Sequence, residues 1–444
     1  MVTKRLFHSI GRLRTVKKPQ FNVKYMISKL DEFSDSIQAR ELVDGEELQT
    51  SLKMLPELYQ KSRITDHTIA NLQHSRKTIE AQVKQDKTRA KELGSELKSL
   101  KKQYQDLLKT QREVKDQITE VCGSLPNLIH PSVPKTSSPI IDQWINKQVQ
   151  YKPDERFEHL KIMVNKGMVD FETASNVTGT SWYYLCNDGA RLEHALVQYA
   201  ATKARKANFN LVIPPSVVRN EVIDACGFRP RDTNNEQQIY RLSDTNLGLT
   251  ATAEIALAGM GLDSILDLSS GPKKICGVNR AYRAEAGASG KDTKGLYRVH
   301  EFTKVELFVW AKPEQSDQIL EELKQFQIDI VRELGLSAQV LNMPSNDLGS
   351  PAYKKYDIEA WMPGRGSFGE ITSTSNCTDF QSRRMHTRFR NEEGELEYAH
   401  TLNGTAIAVP RVIVALVENN YDPVSGTISI PQALQPYLDG MEFI

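Results

Sequence analysis

The chain is poor in cysteine and in long apolar runs, and each shortage excludes a class of protein. Its five cysteines (Cys122, Cys186, Cys226, Cys276 and Cys377) are scattered singly, with no Cys-x-x-Cys pair. That argues against a disulfide scaffold and against a zinc site. The longest apolar run near the C-terminus, Ala406 to Val417, contains Pro410 and Arg411 and falls far short of the roughly 20 residues a bilayer span needs. No membrane span is expected. Acidic residues are also missing from one place: none precedes Asp31, whereas Lys4, Arg5, Arg12, Arg14, Lys17, Lys18, Lys24 and Lys29 all fall there. Because the whole 444-residue chain carries only +1, these eight charges leave −7 on the remainder. With Leu6, Phe7 and Ile10 on one possible helical face, the segment reads as a mitochondrial targeting peptide or as an unstructured basic tail that touches phosphates.

What is present is enough apolar residue for two or three folded domains, 39% of the chain, with 25% charged. From Ile69 the apolar positions Ile69, Leu72, Ile79 and Val83 step by about three and four, with Arg76 filling one place. A second stripe, Ala90, Leu93, Leu97, Leu100, Tyr104, Leu107, Gln111, Val114, Ile118 and Val121, keeps heptad spacing with one polar exception. Lys84 to Arg89 leaves room only for a turn, which predicts an antiparallel two-helix coiled-coil arm. Between Lys61 and Lys102 it carries eleven Lys/Arg against five Asp/Glu. A polyanion would suit that surplus, and so would simple solvation of an exposed coiled coil. Gly123 ends the helix, and Pro126, Pro131, Pro134 and Pro139 read as a linker.

Beyond residue 150 short apolar runs such as Leu211 to Ile213 and Val305 to Trp310 alternate with helical stretches near 189–206 and 315–334. This is an α+β pattern on a mainly antiparallel sheet flanked by helices. The expected division is a targeting segment over 1–30, the arm over 31–125, the linker over 126–150 and a catalytic domain over 151–444.

The chemistry concentrates in four strings. Tyr282 to Glu306 reads as a strand, loop, strand hairpin whose tip carries Gly287, Gly290, Gly295, Lys291 and Lys294 and whose legs carry Arg283, Glu285 and Arg298. Arginine in such legs can fork onto a phosphate. Thr252-Ala253-Glu254 places a hydroxyl and a carboxylate on one face of a strand or turn, suited to a small amino compound. Glu370 and Ser373 are hard oxygen ligands that suit Mg²⁺. Arg411 heads an apolar helix, where its charge opposes the dipole and so points to an anion as partner.

Arg283-Ala284-Glu285-Ala286-Gly287, Asp292 to Phe302, Thr374 to Met385, Thr252-Ala253-Glu254, Asn403-Gly404-Thr405 and the ending Tyr437 to Ile444 resemble seryl-tRNA synthetases of the bacterial and organellar type. The resemblance spans roughly residues 45 to 444. It implies a class II synthetase domain, an arm that grips serine tRNA, and a homodimer, Pro215 matching the proline of the interface motif. It further implies ATP and L-serine as substrates, Mg²⁺ as cofactor, no zinc, and work in the mitochondrial matrix, with the cytoplasm as the alternative.

Residue by residue, the resemblance places Arg283, Arg298 and Arg411 in catalysis. Arg283 would clamp the α-phosphate, Arg411 the γ-phosphate, and Arg298 the activated carbonyl or phosphate. Glu285 would meet the adenine amino group and Phe302 the base, with Ala284, Val299, Ile371 and Thr372 completing the ATP site. Glu370 and Ser373 would hold the metal. Thr252, Ala253, Glu254, Arg283, Glu306, Asn403 and Thr405 would form the serine site. Lys291, Lys294, Glu301, Thr405 and Pro410 depart from the common family residues. His300 reads as a positioning histidine. Two other readings share the fold: a catalytically weak paralogue that acts as a binding protein, which would lose Arg283, Glu285, Glu370 or Arg411, and a carrier-protein acylating relative, which would lack the arm.

Overall fold

A computed structural model describes residues 16–85, 90–228, 238–285 and 295–444. The basic residues before position 16, the tip of the arm at 86–89, and Gly287, Gly290, Lys291 and Lys294 therefore lie outside the described residues. The chain forms two compact units, one of residues 19–128 and one of residues 129–444 with the short described stretch before Pro19.

The first unit holds helices α1 (Val23–Ser28), α2 (Leu30–Ala39), α3 (Gly45–Gln85) and α4 (Ala90–Ser124). Asn22 caps α1 by accepting from the Tyr25 amide at 3.1 Å, one of the donors a helix start leaves open. Met26, Phe33, Ile37, Leu48, Leu52 and Leu55 close a core with Val114, Ile118 and Cys122 of α4. Residues 23–28 are thus packed structure, and the expected boundary at residue 30 falls inside a folded unit. Leu48, Leu52 and Leu55 already carry helical spacing, so α3 begins some twenty residues before the stripe read from Ile69; Pro56 lies within it. The seam runs antiparallel, with Gln73 donating to the Tyr104 hydroxyl at 2.8 Å and Lys115 meeting Asp66 at 3.1 Å. Arg76 fills its seam place by lying over the Tyr104 ring, 5.8 Å from its centre.

The second unit is built on eight strands: β1 (Ile140–Ile145), β2 (Asn210–Val212), β3 (Lys273–Tyr282), β4 (Glu301–Ala311), β5 (Ala338–Asn342), β6 (Lys354–Met362), β7 (Ser367–Asn376) and β8 (His400–Ala408). Their order is β1-β5-β6-β7-β8-β4-β3-β2, antiparallel throughout except for the β2–β3 pair. The stretch read as a linker is part of this unit: β1 pairs with β5, and Val133 packs with Leu341 and Met343. Its prolines lie outside β1, where no ladder hydrogen bond is lost. Helices α5 (His159–Asn165), α6 (Asn187–Lys206), α7 (Ala253–Gly259), α8 (Ser316–Glu333) and α9 (Val409–Asn420) surround the sheet, and one large core takes in Leu192, Leu196, Leu320, Leu323, Ile358, Ile407 and Ile413. Among the described residues no helix is long and apolar enough to cross a membrane.

Two irregularities open the sheet. Strand β7 skips a place against β6, since Thr372 faces Ile358 while Glu370 faces Glu359, leaving Ile371 as the extra residue. Strand β8 does the same against β4, with Ala406 extra between Thr405 and Ile407. Ladder pairing between β7 and β8 is confined to Thr374↔Gly404, Ser375↔Asn403 and Asn376↔Leu402. Past that point the strands part, and buried Gln327 of α8 donates to the Ser373 and Thr405 carbonyls at 2.7 and 2.9 Å. A buried carbonyl without a donor is costly; Gln327 lets the gap exist.

Candidate active site

A cleft open to solvent occupies that gap, lined from several separate stretches of chain. The hairpin lines one side of it. Strands β3 and β4 pair down to Tyr282↔Glu301, so Arg283, Glu285 and Arg298 lie just past the strand ends rather than in the legs. Glu285 has φ 47°, a left-handed backbone that a non-glycine residue adopts at some cost. Its carboxylate pairs with Arg298 at 2.6 Å. Arg283 lies over the Phe302 ring at 5.2 Å and donates through Nε to the Ala251 carbonyl at 3.4 Å. His300 sits behind it, Nδ1 against the Arg283 carbonyl at 3.0 Å and the Tyr240 hydroxyl at 3.1 Å.

Strand β7 and helix α9 form the other side. Residues three apart on a regular strand face opposite ways, yet the bulge at Ile371 shifts the alternation by one, and both Glu370 and Ser373 reach the cavity. Pro410, one of the expected departures, stands in the first turn of α9, where its missing N–H costs nothing. Arg411 donates from Nη1 to Glu370 Oε2 at 2.9 Å and from Nε to the Tyr297 carbonyl at 3.3 Å. Burial would raise the Glu370 pKa, but Arg411, Lys355 and Arg283 outweigh it and hold it at about 2. The Arg283 guanidinium is pushed down by burial and by the nearby charge of Arg411. Two guanidinium groups brought that close are arranged for an anion.

The remaining expected residues gather at a second, more buried pole. Thr252 is the N-cap of α7 and accepts from the Glu254 amide at 3.3 Å, so this trio opens a helix instead of lying on a strand or turn. Glu254 Oε1 accepts from Gln381 at 2.6 Å and from Asn403 at 2.9 Å. Lys304 pairs with Glu306 at 2.6 Å and donates to Thr252 at 3.1 Å, while the Thr405 hydroxyl donates to Glu306 at 3.5 Å. Burial and the neighbouring Glu306 raise Glu254 to about 7, against the pull of Lys304. Burial raises Glu306 as well.

Eleven of the expected residues line the cavity: Arg283, Glu285, Arg298, Val299, Phe302, Glu370, Ile371, Thr372, Ser373, Thr405 and Arg411. Ala284 does not; its amide bonds the Gln238 carbonyl. Ala253 is buried in α7. Lys304, Gln381 and Tyr297 belong to the constellation and were not read from the sequence. Lys304 stands two places from Glu306 on one strand, hence on the same face, which was the available signal; Gln381 carried none. Glu301, another departure, lies outside the cavity and accepts from Tyr282 at 3.1 Å.

The chain matches the profile of the seryl-tRNA synthetase N-terminal domain over residues 21–129 and that of the class II tRNA synthetase core domain (G, H, P, S and T) over residues 240–420. It is 59% identical over 447 residues to the mitochondrial serine–tRNA ligase of Saccharomyces cerevisiae, covering the whole of both chains. The chain belongs to the seryl-tRNA synthetases. Another such synthetase, the mitochondrial serine–tRNA ligase of Schizosaccharomyces pombe, is 42% identical over 356 residues, 78% of this chain and 73% of that one. The crystal structure of the seryl-tRNA synthetase of Pyrococcus horikoshii complexed with ATP superposes with a TM-score of 0.85 at 33% identity, covering 96% of this chain and 99% of that one. This membership agrees with the class II fold expected for a seryl-tRNA synthetase: a helical N-terminal unit and a mainly antiparallel catalytic sheet.

Proposed function

We propose that this seryl-tRNA synthetase works in the mitochondrial matrix as a homodimer, condensing L-serine with ATP and passing the seryl group to serine tRNA. The observation that carries the reading is the cavity in which Arg283, Arg411 and Glu370 converge from three separate stretches of chain. ATP would displace the internal pairs Arg411–Glu370 and Arg298–Glu285, its phosphates taking over the guanidinium groups and its adenine amino group the Glu285 carboxylate. Phe302 offers a face to the base. Glu370 and Ser373 supply two oxygen donors on one face, which fits Mg²⁺, an ion that keeps waters and takes its other ligands from phosphates. When bound it would neutralise charge on the phosphate oxygens.

Serine would lie at the buried pole, its ammonium on Glu254 and its hydroxyl on Glu306 and Thr405. A serine carboxylate oxygen attacks the α-phosphorus, the bond to the β-phosphate bridging oxygen breaks, and pyrophosphate leaves. The terminal ribose hydroxyl of tRNA then attacks the seryl carbonyl carbon and AMP departs. No side chain need act as a nucleophile; position and charge compensation do the work. A pocket that pairs the substrate hydroxyl disfavours alanine, which would leave those buried groups unpaired.

The edge strand β2 supports the dimer, with Leu211 54% and Ile213 84% exposed beside Pro214 and Pro215. An open apolar edge is a surface that proteins cover. Lys17 pairs with Asp263 at 2.7 Å and His386 Nε2 meets the Lys18 carbonyl at 2.8 Å, so a leader removed on import would end before them. Purified protein should exchange labelled pyrophosphate into ATP only with serine and Mg²⁺; faster exchange with another amino acid refutes the assignment.

A further inference from the structure

We propose that His159 is a positioning residue for the nucleotide, holding the chain at Leu296 so that Tyr297 can set Arg411. His159 opens α5 and is nearly fully buried, and Glu418 is fully buried on α9. Glu418 lies seven residues after Arg411, hence on the same helix face. Its Oε1 accepts from His159 Nδ1 at 2.8 Å and its Oε2 from the Arg365 amide at 3.0 Å. The other imidazole nitrogen, Nε2, accepts from the Leu296 amide at 3.3 Å. An amide can only donate, so Nε2 carries the lone pair and Nδ1 the hydrogen. The contact is close: a Cβ on Gly295, whose φ is +69°, would come within 2.2 Å of Nε2.

Next to Leu296 stands Tyr297, whose carbonyl accepts from Arg411 and whose ring lies 3.9 Å from the Arg365 guanidinium and 4.8 Å from that of Arg411. Glu418 thus ties down both Arg365 and, through His159, the backbone that carries Tyr297. His159, Arg365, Tyr297 and Glu418 line a second cavity, and Tyr297 lines the nucleotide cavity too. Among the described residues His159 touches no expected substrate group, and its route to the chemistry runs to Arg411 through Leu296 and Tyr297, with Glu418 tying it to the same helix. The serine pole has no share in that route.

The inference rests on Arg411 meeting the triphosphate, and the test separates the two. Asparagine places its amide near the position of Nδ1, keeping a donor for Glu418 and losing the acceptor for Leu296; glutamine reaches the position of Nε2 and does the reverse. Serine-dependent pyrophosphate exchange and thermal unfolding are measured for the full chain and for His159→Asn, His159→Gln and Arg411→Ala. His159→Asn should raise the KM for ATP about tenfold, the order of one buried hydrogen bond, with the KM for serine unchanged. His159→Gln should recover to within about threefold of the wild type. An unchanged KM for ATP in His159→Asn, equal impairment of both variants, or a fall in every parameter in step with Tm overturns the proposal. If Arg411→Ala keeps the wild-type KM for ATP, the assignment of Arg411 fails and this inference with it.

Discussion

The α3–α4 arm and the catalytic unit treat charge in opposite ways. Along α3 and α4 the seam is apolar with a few polar bonds at its edge, such as Gln73 to Tyr104 and Lys115 to Asp66. In the catalytic unit Lys304, Glu306, Glu254 and Arg383 are all less than a tenth exposed; Lys304 and Glu306 pair within one strand and Arg383 pairs with Asp379, while Glu254, Thr252 and Thr405 join that cluster from distant stretches of chain. Burying charge is costly unless it is paired, so the catalytic unit holds groups that gain by meeting a charged ligand. The arm holds its charge at the surface, where long-range attraction to a polyanion costs no desolvation.

The sharpest way to break this comparison is to remove the distal part of the arm at matched register, residues 72–105, leaving Val114, Ile118 and the root core intact. Aminoacylation should fall about a hundredfold or more if tRNA is held by those phosphate contacts, with pyrophosphate exchange unchanged; equal charging would show that the arm does not grip tRNA. The next effect belongs to the other unit. Arg411→Ala should lower exchange about 10²–10³-fold, as loss of a preorganised charge at the reacting phosphates does, and should lower Tm as well, because Glu370 loses its partner.

A smaller effect comes with pH. The folded protein keeps the proton on Glu254 up to about 7, whereas an unfolded glutamate loses it near 4.3. This group therefore makes stability fall as pH rises across that window, the reverse of Glu370, whose contribution is lost only as pH falls toward about 2. If ionised Glu254 receives the serine ammonium, the KM for serine should drop about tenfold from pH 6 to 8, and Glu254→Gln should abolish the slope; a flat wild-type profile removes Glu254 from that role. The smallest effect on catalysis is expected from Leu55→Ala, at a fully buried site of the helical root. It should cost about 2–5 kcal/mol of that unit's stability and leave pyrophosphate exchange unchanged. A parallel loss of exchange would show that the two units are not energetically separate.

The comparison also explains what was legible in the chain. The seam positions from Ile69 to Val121 lie one helical turn apart, so period alone identified them, and every described one has its side chain buried or half-buried. The stripe read from Ile69 leaves out Leu48, Leu52 and Leu55, which carry the same spacing further upstream, and the basic composition of residues 1–30 hides the packed helix at 23–28. Arg283 was recognisable in a family string, Glu370 as a hard oxygen ligand and Arg411 as an arginine set against its helix dipole, with no local signal that they converge.

Local spacing determined the paired helices, and the order of short runs determined an antiparallel α+β sheet. Which face each strand residue presents was decided elsewhere. A strand's alternation holds only as long as its register with its neighbours, and the extra residues at Ile371 and Ala406 reset it just where the strands separate. Glu370 and Ser373 thereby share a face, Thr252 becomes a helix cap, and Gln327 fills the opened ladder. Those outcomes depend on partner strands and helices dozens of residues away, and only the folded chain brings them together.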